Sequence, residues 1–121
     1  MKTLSLVSAV VILLVGPLFA SNVSGTWEAK VVVGAQNGAP TFVLQQKGEK
    51  LTGTYKGTLG DAPVTGTAKG QDIVLEFQAS GLKVIYSGKV STDGRKMEGT
   101  VDYGGQASGT FTAMKKSVKA K

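Results

Sequence analysis

The side chains that most enzymes use for nucleophilic and acid–base chemistry are missing from this chain. Among its 121 residues there is no His and no Cys. That composition removes Ser–His and Cys–His nucleophile pairs, thiolate zinc sites and most other transition-metal sites. Carboxylates remain, but Asp72, Glu76, Glu98 and Asp102 all fall on the polar phase of alternating segments. That phase belongs on a convex face, whereas general acid–base work needs a shielded cleft that shifts pKa values. Asp61 and Asp93 stand in turn sequences, where Asp commonly serves the backbone. No glycine-rich phosphate loop leads into a helix. The expectation is therefore a protein that is not an enzyme, with no catalytic residue, no metal and no cofactor. The groups left with useful chemistry are Tyr55, Tyr86 and Tyr103, all on the apolar phase. A phenol so placed offers an apolar wall and a hydroxyl handle, as small-molecule pockets require. With Phe42 they are the candidate ligand-binding residues.

The elements that must position these side chains are strands. No segment after residue 20 sustains a helical period, and alternating runs recur between Gly, Asp and Asn turn signals. Eight strands are expected, at about 25–33, 40–47, 50–58, 62–69, 72–79, 82–91, 96–103 and 106–115. Short Gly-bearing links around Gly48, Gly70, Asp93-Gly94 and Gly104-Gly105 read as hairpin turns, so neighbours in sequence become neighbours in space. Trp27, Ala29, Val31 and Val33 share one face of the first strand. Ile73, Leu75, Phe77 and Ala79 do so in the fifth, Leu82, Val84, Tyr86 and Val90 in the sixth, and Met97, Val101 and Tyr103 in the seventh. The expected fold is all-β: a closed antiparallel up-and-down β-barrel of about eight strands in meander order. Closure hides the apolar face and removes exposed edges. A transmembrane barrel, apolar side outward, fits less well, because the strands are short and show no aromatic girdles at both ends. The six-residue link 34–39 and the link 59–61 are expected as loops at one end.

A repeat supports curling. An apolar-x-Gly-x-apolar unit occurs six times, centred on Gly25, Gly53, Gly66, Gly88, Gly99 and Gly109, with Thr after the Gly in all but one. Mid-strand Gly marks bending or close approach of backbones. The competing reading is that the missing side chains leave room for a ligand.

Residues 1–20 form a unit of their own. Lys2 is followed by an apolar run over 4–15, a Gly16-Pro17 break, and small residues before Ser21. This is the three-part pattern of a secretory signal, too short to span a bilayer. The expected division is signal peptide 1–20, barrel domain 21–114 and basic C-terminal tail 115–121. Cysteine-free export suits a bacterial protein, secreted or periplasmic. The formal charge of +6 is concentrated in Lys115, Lys116, Lys119 and Lys121. The body is close to neutral, which argues against nucleic-acid binding and leaves a weak contact between tail and anionic cell envelope.

Gly25-Thr26-Trp27 on the first strand of an eight-stranded meander resembles the calycin superfamily of lipocalins, fatty-acid-binding proteins and avidins. With Leu51-Thr52-Gly53-Thr54-Tyr55 it is most similar to the avidin group. The chain also resembles uncharacterised secreted bacterial β-barrel proteins that carry the same wording through Ala62-Pro63-Val64-Thr65-Gly66-Thr67. The calycin resemblance implies that Trp27 closes one barrel end under a basic residue of the last strand. Counting by twos from Phe111 makes that residue Lys115, with Gly25, Trp27 and Lys115 as the closure set. It also implies a ligand mouth at the opposite end. Avidin's own ligand does not carry over: Glu28-Ala29-Lys30-Val31 replaces the polar residues expected after the Trp, and Trp27 is the sole tryptophan. The expected function is a secreted binding module for a small apolar or amphipathic molecule. The alternative is a filled barrel that acts as a protein- or envelope-interaction module.

Overall fold

Every backbone N–H and C=O drawn into the interior must find a partner, and a sheet closed on itself satisfies them without leaving an edge. The computed structural model describes residues 22–116 and does this with nine strands. They are β1 (Gly25–Val33), β2 (Gln36–Gly38), β3 (Thr41–Lys47), β4 (Lys50–Gly57), β5 (Gly60–Lys69), β6 (Asp72–Ala79), β7 (Leu82–Val90), β8 (Lys96–Tyr103) and β9 (Ala107–Lys115). All ladders are antiparallel, and β1 pairs with β9 from Trp27↔Lys115 to Val32↔Thr110, which closes the sheet into a tube. The expected signal peptide and the tail beyond Lys116 lie outside the described residues. Lys115 itself is the last residue of β9.

The strand count differs from the expectation by one, and the reason is Pro40. The link 34–39 is not a loop. Gly34 and Ala35 make a tight turn, and β2 pairs back at once, with Val33↔Gln36 and Val31↔Gly38. Its register runs on without a slip into β3, where Glu28 faces Thr41. Pro40 lacks an N–H and cannot give a ladder bond, although its carbonyl still accepts from Ala29 N–H at 2.9 Å. One stave of an eight-stave barrel is thereby recorded as two strands. The link 59–61 shortens likewise, because β5 begins at Gly60, opposite Gly57. At another hairpin Ser80, with φ 52°, takes the left-handed conformation beside Gly81.

The registers also set the stagger. A walk perpendicular to the strands leaves β1 at Trp27 and passes Phe42, Tyr55 and Ala62. Carried on through the remaining registers, it regains the extended line of β1 ten residue positions beyond its start. Such a shear tilts strands by about 40° and leaves an eight-stave interior just wide enough for side chains or one small ligand.

The apolar phase faces inward throughout. Trp27, Ala29 and Val31, then Ile73, Leu75, Phe77 and Ala79, then Val84, Tyr86 and Val90, then Met97 and Val101 are all buried. Among the described residues no polar or charged residue is buried. The outer face carries Thr, Lys, Glu and Asp, with cross-strand pairs such as Thr52↔Thr65 and Thr100↔Thr110. The Lys83–Glu76 and Lys116–Glu28 ion pairs, at 3.5 and 3.7 Å, are exposed and add little stability.

The repeated glycines have a steric cause. A Cβ on Gly53, Gly66, Gly88, Gly99 or Gly109 would overlap a carbonyl oxygen of the adjacent strand: that of Val43, Val74, Glu98, Ser87 and Val32 respectively. These positions hold no spare volume, so the reading in which they hollow out a ligand space is corrected. They permit the backbone approach that tight coiling demands. Gly66→Ala is expected to lower the unfolding free energy by about 1–3 kcal/mol, in the range of overpacking. The exposed Lys30→Ala should stay within about 0.5 kcal/mol. Urea unfolding of the two variants beside the parent checks both values.

Candidate functional site

The two barrel ends are built differently. At one end the chain enters through Val23, which is fully buried with Trp27. The indole Nε1–H donates to the Val23 carbonyl at 2.9 Å, and Val23 N–H donates to Gln46 Oε1 at 2.9 Å. These bonds stitch the entering segment across the opening. Trp27 and Lys115 face each other in the closing ladder. The Lys115 ammonium lies 5.7 Å from the indole centroid and donates to the Asn22 carbonyl at 3.1 Å. Gly25 makes this possible: its φ is +138°, and a Cβ there would stand 3.2 Å from Lys115 Cε. The structure thus brings Gly25, Trp27 and Lys115 together as a plug.

Above the plug lies a layer of rings. Phe42 packs 5.0 Å from Tyr86 and 5.5 Å from Tyr55, Tyr55 stacks on Phe77 at 4.1 Å, and Tyr86 meets Phe111 edge-on at 4.9 Å. Offset and edge-on pairs of this kind each add about 0.5–1.5 kcal/mol beyond area burial. Phe42 belongs to this layer and is not a wall of the opening above it.

Above the rings is a cavity of about 310 Å³. Tyr55, Tyr86 and Tyr103 line it, with Val31, Val33, Pro40, Leu59 and Leu82 as apolar walls and Gln36, Asn37 and Gln106 near the rim. It sits at the end away from Trp27, where the hairpins β1–β2, β4–β5, β6–β7 and β8–β9 turn. Each phenol has a local cause for its position. A Cβ on Gly57 would strike the Tyr55 ring and hydroxyl and press on Pro40, so this Gly clears the space that Tyr55 fills. Leu59 N–H then donates to Tyr55 Oη at a long 3.5 Å. Tyr86 projects from the middle of β7 with only 2% of its surface exposed, while Tyr103 ends β8 opposite Val84.

The electrostatics follow from burial. Tyr86 and Tyr103 line the same cavity and influence each other's hydroxyl. Burial pushes the Tyr86 hydroxyl far above the ordinary phenol range, and the neighbouring Tyr103 and Tyr55 push it further. Burial also raises Tyr103 and Tyr55, with the bond from Leu59 opposing the rise at Tyr55. All three are therefore neutral at pH 7 and available as hydrogen-bonding groups.

Sequence reasoning placed the phenols on the inward phase but missed Pro40, Gly57, Leu59, Gln36 and Gln106 as parts of the site. Gln36 falls in the expected link 34–39 and Pro40 at an expected strand start, and nothing in their types signals a pocket wall. Val33 and Leu82 were legible as inward residues at strand ends.

Two measurements check these ends. Replacing Lys115 by Met removes the cation over Trp27 and should cost about 0.5–2 kcal/mol, with a shift in the emission of the sole tryptophan. At the other end, each phenol holds its proton more tightly when folded than when unfolded. That contribution is complete below about pH 10, the unfolded-state value, and declines as pH rises through it. Thermal melts between pH 9 and 11 should therefore show falling stability, with a shallower fall in Tyr86→Phe.

No protein-family model and no curated protein sequence matches the chain. Among solved structures, a de novo designed fluorescence-activating β-barrel is similar in fold, with a TM-score of 0.56. The match covers 77% of this chain and 93% of the designed one, at 13% sequence identity. The likeness shows the fold: an eight-stave, closed, antiparallel β-barrel.

Proposed function

We propose that this protein is a secreted, calycin-like binding module that takes one small apolar or amphipathic molecule into the barrel end away from Trp27. The observation that carries the reading is the cavity of about 310 Å³ between three phenols and a wall of aliphatic side chains. Its volume is at the low end of small-molecule sites, and its mixture of apolar wall with a few convergent hydroxyls is their usual chemistry. A filled barrel would have no such space above its ring layer. The plugged opposite end, with Lys115 over Trp27, matches what the calycin resemblance implies for the closed base. Similarity in fold to a designed barrel described as fluorescence-activating is consistent with a binding role. Export rests on the signal-like pattern of residues 1–20 and on the absence of Cys, which favours a bacterial periplasm or exterior. The basic tail adds, in this reading, a weak attraction to anionic envelope.

Trp27 lies at the wrong end to report on the cavity, so an added probe serves better. The neutral dye N-phenyl-1-naphthylamine is expected to brighten and saturate on mixing with the purified protein. Leu82→Trp, which places an indole in the cavity, should abolish the signal while far-UV circular dichroism stays that of the parent. A dye that never brightens, or that brightens equally with Leu82→Trp, defeats the reading.

A further inference from the structure

Building on that reading, we propose that the cavity selects an uncharged, ring-bearing ligand whose carbonyl-type oxygen accepts hydrogen bonds from the phenols of Tyr55 and Tyr103. Three observations lead there. First, no Asp, Glu, Lys or Arg is among the residues lining the cavity. An ionised carboxylate or ammonium drawn inside would lose its water and meet no opposite charge, which disfavours it strongly. Lys115, whose ammonium does reach the end of the barrel, is held at the opposite opening.

Second, the hydroxyls have a direction. Tyr55 Oη accepts from Leu59 N–H, and the Tyr103 phenol lines the same cavity, where its O–H is a donor. A phenol oxygen that has taken one bond still has its own O–H to give. The site therefore favours an acceptor, and a carbonyl oxygen, with two lone pairs, suits two such donors. Third, the donors are held before any ligand arrives. Tyr55 is stacked on Phe77 at 4.1 Å, and Tyr86, which lines the cavity with Tyr103, is wedged between Phe42 and Phe111. Pre-set donors spare the ligand the cost of ordering them. The same ring layer forms an apolar floor that suits a planar molecule. Ketones, lactones, quinones and neutral amides on one or two rings fall within this class.

Three molecules of nearly one shape separate the possibilities: 2-acetylnaphthalene, 2-isopropylnaphthalene and 2-naphthoate. They are titrated into the purified protein by calorimetry, with displacement of N-phenyl-1-naphthylamine as a second readout. The ketone should bind about tenfold more tightly than the hydrocarbon, as one or two net hydrogen bonds allow. The naphthoate should be weaker than the ketone by at least as much. In Tyr103→Phe the ratio of ketone to hydrocarbon should shrink to about threefold or less. If hydrocarbon and ketone bind equally, or naphthoate binds best, the ligand class is wrong although the pocket binds. A ratio unchanged in both Tyr55→Phe and Tyr103→Phe removes the phenols from the explanation. If none of the three binds and the dye is also silent, the binding reading itself is overturned.

Discussion

Backbone hydrogen bonds between β1 and β9 join the first strand to the last, and on that seam the rest of the molecule depends. Without it the alternating chain is an open sheet with one greasy face and two free edges, a form prone to pair with other chains. With it, six consecutive register pairs from Trp27↔Lys115 to Val32↔Thr110 bring residues from the two ends of the described chain side by side. The apolar face then has a common interior, and Val31 meets Phe111 across the seam. The same pairing carries Lys115 to Trp27, so closing the sheet and plugging its base are one event.

Closure at eight staves imposes a narrow bore, and the backbone must coil to fit. At Gly53, Gly66, Gly88, Gly99 and Gly109 the neighbouring strand comes so near that a single methyl group would displace it. The repeated Gly is thus a consequence of curvature, and the interior is filled by the larger residues on either side of it. Leu51 and Leu75, which both face Gly66 from adjacent strands, are buried. This explains how large buried side chains fill strands that are rich in glycine.

The ends differ because their side chains differ in reach. At the base, one large indole, Val23 and the Lys115 stem fill the opening, and the hydrogen bonds of Asn22, Val23 and Gln46 hold them there. At the mouth, Tyr55, Tyr86 and Tyr103 reach in from three strands and line the space that remains. Pro40 interrupts one stave beside this space, and Gly57 clears room for Tyr55.

Much of this was legible in the chain alone. Period-two alternation over Trp27–Val33, Ile73–Ala79 and Met97–Tyr103 determines the inward residues, because successive side chains in a strand must point to opposite faces. Gly at the short links determines the antiparallel order. Those rules are local, and local patterns are written in the sequence. The pairing of Gln36-Asn37-Gly38 with β1 was not legible, since Asn, Gly and Pro together carry the composition of a loop, and only the closed sheet offers them a partner. Nor was the steric meaning of the glycines, which depends on carbonyl groups of other strands. Whether the interior is full or hollow was likewise decided by tertiary structure. Strand number and register set the bore, and the gap above the Phe42 ring layer is the difference between that bore and the summed reach of side chains from every stave.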